Sequence, residues 1–264
     1  MKRICFASTS YVPGEDFVNS MKEQGIAVEC GDCCAYSKKD TLLITDSKDI
    51  YLKNPDSLIL INDISDMDSF LGAKYFVMYP GDCEPDYFIK IWQRINNIPW
   101  EIIETDRLII RETTQEDVDT FFEIYKDPAM TLFNEKLYED IEEEKKYALE
   151  YAEKVYKVQG FGIWTIIEKA TNEVIGRAGL TVRAGFDDVE IGFLIGTAYQ
   201  GQGYATEAVK ACIEMAKKLE FESVYALVME GNEPSKHILN KLGFLNSGIR
   251  KVNGIEYEYL QFKI

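Results

Sequence analysis

Histidine is almost absent from this sequence, with only His237 among 264 residues. Four-ligand zinc sites draw on histidine and paired CxxC motifs, and only one CxxC occurs here, within "ECGDCCAY". Its cysteines are Cys30, Cys33 and Cys34, while Cys5, Cys83 and Cys212 are scattered. No metal site is expected, and the cysteines read as reduced thiols in a reducing compartment. Long apolar runs are missing too: none approaches the roughly 18 residues of a membrane span. The opening "MKRICFASTSYVPGED" has too short an apolar stretch for a signal peptide. A cytoplasmic location without a membrane partner is the expectation. Positive charge is in deficit, with 29 Lys and Arg against 45 Asp and Glu, a net charge of −16. That balance excludes a general affinity for nucleic acid, which needs a basic surface, and makes a cationic partner easier to attract.

The 46% hydrophobic content is enough for a packed core, and it falls into two patterns. From residue 1 to about 100, the short apolar strands "RICFAS", "GIAVEC", "TLLITDS", "SLILIND" and "KYFVMY" alternate with helical or loop segments. This predicts a small α/β, Rossmann-like module with a mainly parallel sheet. A helix follows with Phe88, Ile91, Trp92 and Ile95 on one face, until Asn97 and Pro99 break it. The break places a domain boundary near residues 96–104. "TLLITDS" followed by "GAKYFVMYPGD" is similar to the C-terminal half of a haloacid-dehalogenase-type phosphatase domain. "RICFASTSY", however, lacks the paired aspartates that such chemistry needs. The module of residues 1–100 therefore reads as non-catalytic, with Asp46 capping the turn after its strand.

From residue 104 the pattern changes. "DRLIIRE" is a strand, "TQEDVDTFFEIYKD" a helix, and a second helix runs from about Tyr138 to Val158. "FGIWTIIEK", "EVIGRAGLTVR" and "DVEIGFLIG" then follow as strands joined by turns that suit antiparallel pairing. A helix to about Glu220 precedes strand "SVYALVME", a short helix from Glu233 to about Leu242, and a closing strand "GIEYEYLQF".

The helix after "YQGQGYATEA" has one apolar stripe, formed by Ala205, Ala208, Val209, Cys212, Ile213, Ala216 and Leu219. Its first turn has no Ser, Thr, Asp or Asn cap. Gly201 and Gly203 instead permit positive φ, so backbone N–H groups can converge on an anion such as a pyrophosphate. A dinucleotide-binding turn requires a third glycine where Thr206 stands, and a βαβ context that the preceding meander does not supply.

The run from "VEIGFLIGTAYQGQGYATEA" to "NEPSKHILNKLGF" resembles the Gcn5-related N-acetyltransferase (GNAT) superfamily. Gln200, Gly203 and Ala205 match its core motif of Gln or Arg, two residues, Gly, one residue, Gly or Ala. "TDRLIIRETTQEDVDTFF" and the ending resemble the branch containing ribosomal-protein N-terminal acetyltransferases. The resemblance spans residues 104–264 and implies an α+β domain with a mixed, mainly antiparallel sheet. It also implies acetyl-coenzyme A as cosubstrate and transfer of the acetyl group directly to a primary amine of a small molecule or peptide N-terminus. Pantetheine would pair with the backbone of Phe193, Leu194 and Ile195. The pyrophosphate would lie on the N–H groups that follow Gln200, those of Gly201, Gln202, Gly203, Tyr204, Ala205 and Thr206.

Asn232 reads locally as a helix N-cap and Gly243 as the residue just past that helix. The resemblance adds a bond from Asn232 to the pantetheine amide. Acetyl transfer needs a base for the ammonium and a proton donor for the departing thiolate. Glu190 is the candidate base and Ser235 the candidate donor, with water an alternative for either role. The tyrosine acid of several relatives aligns with Leu239, and His237 lies well round the helix from Ser235. The acceptor pocket is expected in "KDPAMTLFNEKLYED". The acids of "YEDIEEEKK" and "GFDDVE" would favour cationic amines. A catalytically silent acyl-coenzyme A sensor on the same fold is the other reading, and homo-oligomer formation stays open.

Overall fold

The computed structural model describes residues 1–8, 10–31, 36–133 and 136–264. Two compact units divide it, Met1–Trp100 and Glu101–Ile264.

The first unit contains β1 (Arg3–Ala7), α1 (Glu15–Glu23), β2 (Ala27–Cys30), β3 (Thr41–Thr45), α2 (Lys48–Lys53), β4 (Leu58–Leu60), β5 (Phe76–Val77) and α3 (Pro85–Ile95). Its strands pair in parallel in the order β2-β1-β3-β4-β5, a doubly wound arrangement. The apolar centre of β3, Leu42, Leu43 and Ile44, explains its central place, and all five residues of the strand are buried. The expected stripe of α3 packs onto the strands around Phe88. Asp46 Oδ2, just past β3, accepts bonds from Ser8 Oγ (2.7 Å), Ser10 Oγ (2.6 Å) and Ser10 N (3.0 Å), tying the ends of β1 and β3 together. Cys5 is disulfide-bonded, which corrects the expectation of reduced thiols throughout. Cys33 and Cys34 lie outside the described residues.

The second unit runs β6 (Glu101–Glu104), β7 (Leu108–Arg111), α4 (Gln115–Tyr125), α5 (Pro128–Thr131) and α6 (Ile141–Tyr151). A π-turn (Ala152–Tyr156) and α7 (Lys157–Gln159) follow. Then come β8 (Ile163–Glu168), β9 (Glu173–Val182), β10 (Val189–Ile195), α8 (Tyr204–Lys218), β11 (Ser223–Met229), α9 (Glu233–Lys241), β12 (Leu245–Val252) and β13 (Ile255–Lys263). The eight strands form one sheet in the order β12-β13-β11-β10-β9-β8-β7-β6. Their pairings are antiparallel apart from β10 with β11.

Burial follows the sequence periodicity. On one face, Ala208, Val209, Cys212, Ile213 and Ala216 of α8 meet Trp164, Ile191 and Ile195. On the other, α4 is fastened to the sheet by a buried ionic group: Arg111 donates to both oxygens of Asp117 at 2.6 Å, and Thr165 Oγ1 donates to Asp117 Oδ2 at 3.0 Å. The second helix starts at Ile141, not Tyr138, because the Asp140 side chain caps it by accepting from Glu142 N. Its π-turn serves two tyrosines: Tyr151 Oη accepts from Ile163 N (3.0 Å), while Tyr156 Oη donates to Ile163 O. The last turn of this segment is thereby held on the start of β8.

Close strand packing at Gly179 yields a stability prediction. A Cβ there would lie 2.0 Å from the Gly162 carbonyl oxygen, a backbone atom that cannot rotate away. Gly179→Ala should lower the unfolding free energy by roughly 1–3 kcal/mol in urea melts followed by circular dichroism. A variant as stable as the parent would contradict this packing.

Candidate active site

The candidate site lies where β10 and β11, the parallel pair among the described strands of the second unit, separate. β10 and β11 are in register only at Val189 with Val224 and Glu190 with Tyr225, although β10 continues to Ile195 and β11 to Met229. Beyond these two pairs, the β11-facing edge of β10 has no strand ladder. Phe193, Leu194 and Ile195 all lie on this diverging stretch. Phe193 is half-buried against the core, and the Ile195 carbonyl accepts from Gln200 Nε2 at 2.8 Å. Gln200 therefore ties the strand end to the following turn, and its amide also lies 3.6 Å from Met130 Sδ of α5.

The turn itself has φ of +74° at Gly201 and +85° at Gly203. Gly203 is the N-cap of α8 and supplies no side-chain cap. The first amide of this region to find a backbone acceptor is Glu207 N, which donates to Gly203 O at 3.1 Å. From Gly201 to Thr206, six successive N–H groups have no backbone acceptor among the described residues. A side chain at Gly201 would meet no protein atom within 4 Å. Open donors at a helix N-terminus, with free space beside Gly201 and the Arg107 guanidinium 3.5 Å from where a Cβ on Gly203 would stand, fit a pyrophosphate. The Tyr204 side chain is committed elsewhere: its hydroxyl donates to Glu168, so only its backbone faces the turn.

Asn232 is the N-cap of α9, with Oδ1 accepting from Ser235 N at 3.3 Å. Ser235 is half-buried on the first turn, His237 is exposed, and Leu239 is fully buried. Phe133 lies beside the turn into α9, its ring edge 3.9 Å from where a Cβ on Gly231 would stand. The segment expected to build the acceptor pocket thus meets Gln200 through Met130 and approaches Gly231 through Phe133; Asn134 and Glu135 of that segment lie outside the described residues. Glu190 stands at the point of strand separation, where Arg183 Nε donates to its Oε2 at 2.6 Å. To act as a base it must take a proton while that pair holds or opens.

Two features escaped the sequence reading. Arg107 lies against the glycine turn: Nη1 donates to Gln202 O (2.9 Å), Nε donates to Glu207 Oε2 (2.7 Å), and the guanidinium lies 4.4 Å from the Tyr204 ring centroid. Thr105 Oγ1 completes the hold on Glu207 at 2.6 Å. The second feature is an aromatic wall beside Glu190. Phe186 stacks on Tyr225 at 4.6 Å, and Tyr259 lies 5.2 Å from Tyr225. Burial, followed by the negative charge of Asp188, pushes the Tyr259 phenol above its ordinary pKa. No group of three or more His, Cys, Asp or Glu able to hold a metal occurs among the described residues.

The site is thus framed by a mixed sheet that splits at its parallel pair, a glycine turn and a helix without a side-chain cap. Residues 107–245 match the family described as acetyltransferase (GNAT) domain, more than half of the chain. The chain belongs to that family and is an N-acetyltransferase. It is 30% identical to the uncharacterized N-acetyltransferase p20 of Bacillus licheniformis over 152 residues, covering 56% of this chain and 85% of that protein. It is 28% identical to the [ribosomal protein uS5]-alanine N-acetyltransferase of Escherichia coli over 169 residues, 59% of this chain and 84% of that one. The crystal structure of ribosomal-protein-S5-alanine acetyltransferase from Vibrio fischeri superposes with a TM-score of 0.52 at 21% identity, covering 61% of this chain and 95% of that one. At that identity the likeness concerns fold alone.

The hold on Glu207 has a pH signature. Burial opposes its charge, but bonds from Thr105 and Arg107 outweigh burial and keep the carboxyl below its ordinary pKa. A pKa depressed by folding gives stability that is present above the unfolded value, about 4.3, and is lost as pH falls through the folded value. Glu207→Gln should therefore melt below the parent at neutral pH, with the gap closing as pH drops below about 4. A gap that persists unchanged in acid would contradict this.

Proposed function

We propose that the second unit transfers an acetyl group from acetyl-coenzyme A directly to a primary amine, with a preference for cationic acceptors. The observation that carries the reading is the run of six open N–H groups at residues 201–206, next to the strand edge that β11 leaves unpaired. In this reading the turn holds the pyrophosphate, and the backbone of Phe193 and Leu194 lies along the pantetheine arm. The Asn232 amide nitrogen reaches that arm while Oδ1 keeps its cap. The first unit is a non-catalytic module.

Direct transfer is supported by what the site lacks. The sole cysteine of residues 101–264 is Cys212, which lies fully buried within the core, its thiol pushed up to about 12 by burial. A covalent acetyl-cysteine stage therefore has no accessible thiol in this unit. In the direct route the amine, once deprotonated, bonds to the acetyl carbon as the carbon–sulfur bond breaks. The electron pair of that bond goes to sulfur, which takes one proton. Glu190, or water held by it, receives the amine proton, and the half-buried Ser235 hydroxyl is positioned on the first turn of α9 to supply the other.

The acceptor preference rests on charge. An amine arrives mostly as ammonium, and the chain carries −16 overall, with Asp187 and Asp188 leading into Glu190. Turnover of acetyl-coenzyme A across an amine panel tests the reading. Polyamines and basic peptide N-termini should give higher kcat/KM than neutral or acidic amines, and the advantage should shrink as salt shortens the screening length below about 8–10 Å. A salt-independent preference for an acidic acceptor would contradict the steering, and absence of turnover with every amine would contradict the activity.

A further inference from the structure

We infer that Tyr225 is a catalytic residue of this site, its hydroxyl donating a hydrogen bond to the carbonyl oxygen of the acetyl group as transfer proceeds. The inference rests on the acetyl-transfer reading above and assigns a role to an atom that reading does not use.

Tyr225 is fully buried, yet its Oη has no hydrogen-bond partner among the described residues. A buried hydroxyl without a partner loses its bonds to water and gains none in return, so such groups are rare in folded proteins and need a reason. Packing does not supply one. Stacking against Phe186 and contact with Tyr259 use the ring, and phenylalanine would make the same contacts.

Its position in the ladder suggests the reason. Tyr225 is the partner of Glu190 in the last registered pair before β10 and β11 separate. Side chains of paired residues on neighbouring strands lie on the same face of a sheet, so the phenol and the candidate base stand side by side at the apex of the opening. From Ile195, next to the pyrophosphate turn, back to Glu190 is five residues of strand, roughly 17 Å, a span comparable to an extended pantetheine arm. A thioester carried on that arm ends near the apex.

The hydroxyl acts by hydrogen bonding and keeps its proton. Burial, reinforced by the negative charge of Glu190, pushes its pKa well above the ordinary tyrosine value. It is thus a poor proton source for a thiolate but a permanently neutral donor for an oxygen that gains negative charge as the amine attacks. The proton balance is unchanged: the amine still loses one proton to Glu190 or water, and sulfur still gains one from Ser235 or water.

Tyr225→Phe in the full chain tests this with three readouts. The melting temperature without ligand should be unchanged or higher, because the hydroxyl removed has no partner. Calorimetry should show coenzyme A binding as in the parent, with the preference for acetyl-coenzyme A over coenzyme A reduced. With an amine that the parent acetylates, kcat should fall by about 10²-fold at every pH without moving the limbs of the pH profile, and the amine KM should change little. A kcat within about twofold of the parent would overturn the inference, as would a lowered melting temperature, which would show the hydroxyl to be structural. If the parent itself neither binds acetyl-coenzyme A nor acetylates any amine, the acetyl-transfer reading fails first, a result distinct from an active parent with an equally active variant.

Discussion

Between β10 and β11 the second unit abandons its hydrogen-bond ladder after two residue pairs, and the site follows from that separation. Elsewhere in the sheet antiparallel partners satisfy the backbone along longer stretches. Here one edge of a buried strand keeps its polar groups for something other than the sheet, a costly arrangement unless another polar chain runs alongside. The glycine turn repeats the logic at the next step of the chain. From Gly201 to Thr206 the N–H groups have no backbone acceptor among the described residues, and no side chain caps the helix. Both features leave backbone polar groups of one region without a partner in the sheet or helix among the described residues.

The elements around the opening keep it rigid. Arg107, Thr105 and Glu207 anchor the first turn of α8 to the start of β7, and Tyr204 reaches back to Glu168 on β8. Gln200 pins the strand end through the Ile195 carbonyl. On the opposite face, Arg111, Asp117 and Thr165 hold α4 against the sheet, and the π-turn delivers Tyr151 and Tyr156 to the start of β8. A turn that offers open donors has no internal bonds of its own, so its geometry has to be imposed by its neighbours.

Much of this was legible in the sequence, and the parts that were not have physical causes. The apolar stripe of α8, the buried run of β3 and the glycine pair at 201 and 203 announce themselves through periodicity or through the absence of caps. β12 went unread because all but the last of its eight residues are exposed, so no alternation marks it as a strand. The start of α6 was misplaced by three residues because Asp140 was not recognised as its cap. Arg107 and Tyr225 stayed hidden for a different reason. Local pattern identifies each as part of a strand or its flank, but the ion pair of one and the unpartnered hydroxyl of the other depend on residues far away in the chain. The acceptor remains a proposal on similar grounds, since the loop that would shape its pocket has no periodic signature.

The central claim is that residues 201–206 bind the pyrophosphate of the coenzyme through open backbone donors. Calorimetric titration of the full chain with coenzyme A and, in parallel, with pantetheine, which lacks the pyrophosphate and nucleotide, tests it most directly. The account predicts that coenzyme A binds and that pantetheine binds at least about 10²-fold more weakly, with inorganic pyrophosphate competing against coenzyme A at the same site. Equal affinity for the two, or binding of coenzyme A that pyrophosphate leaves untouched, would contradict it.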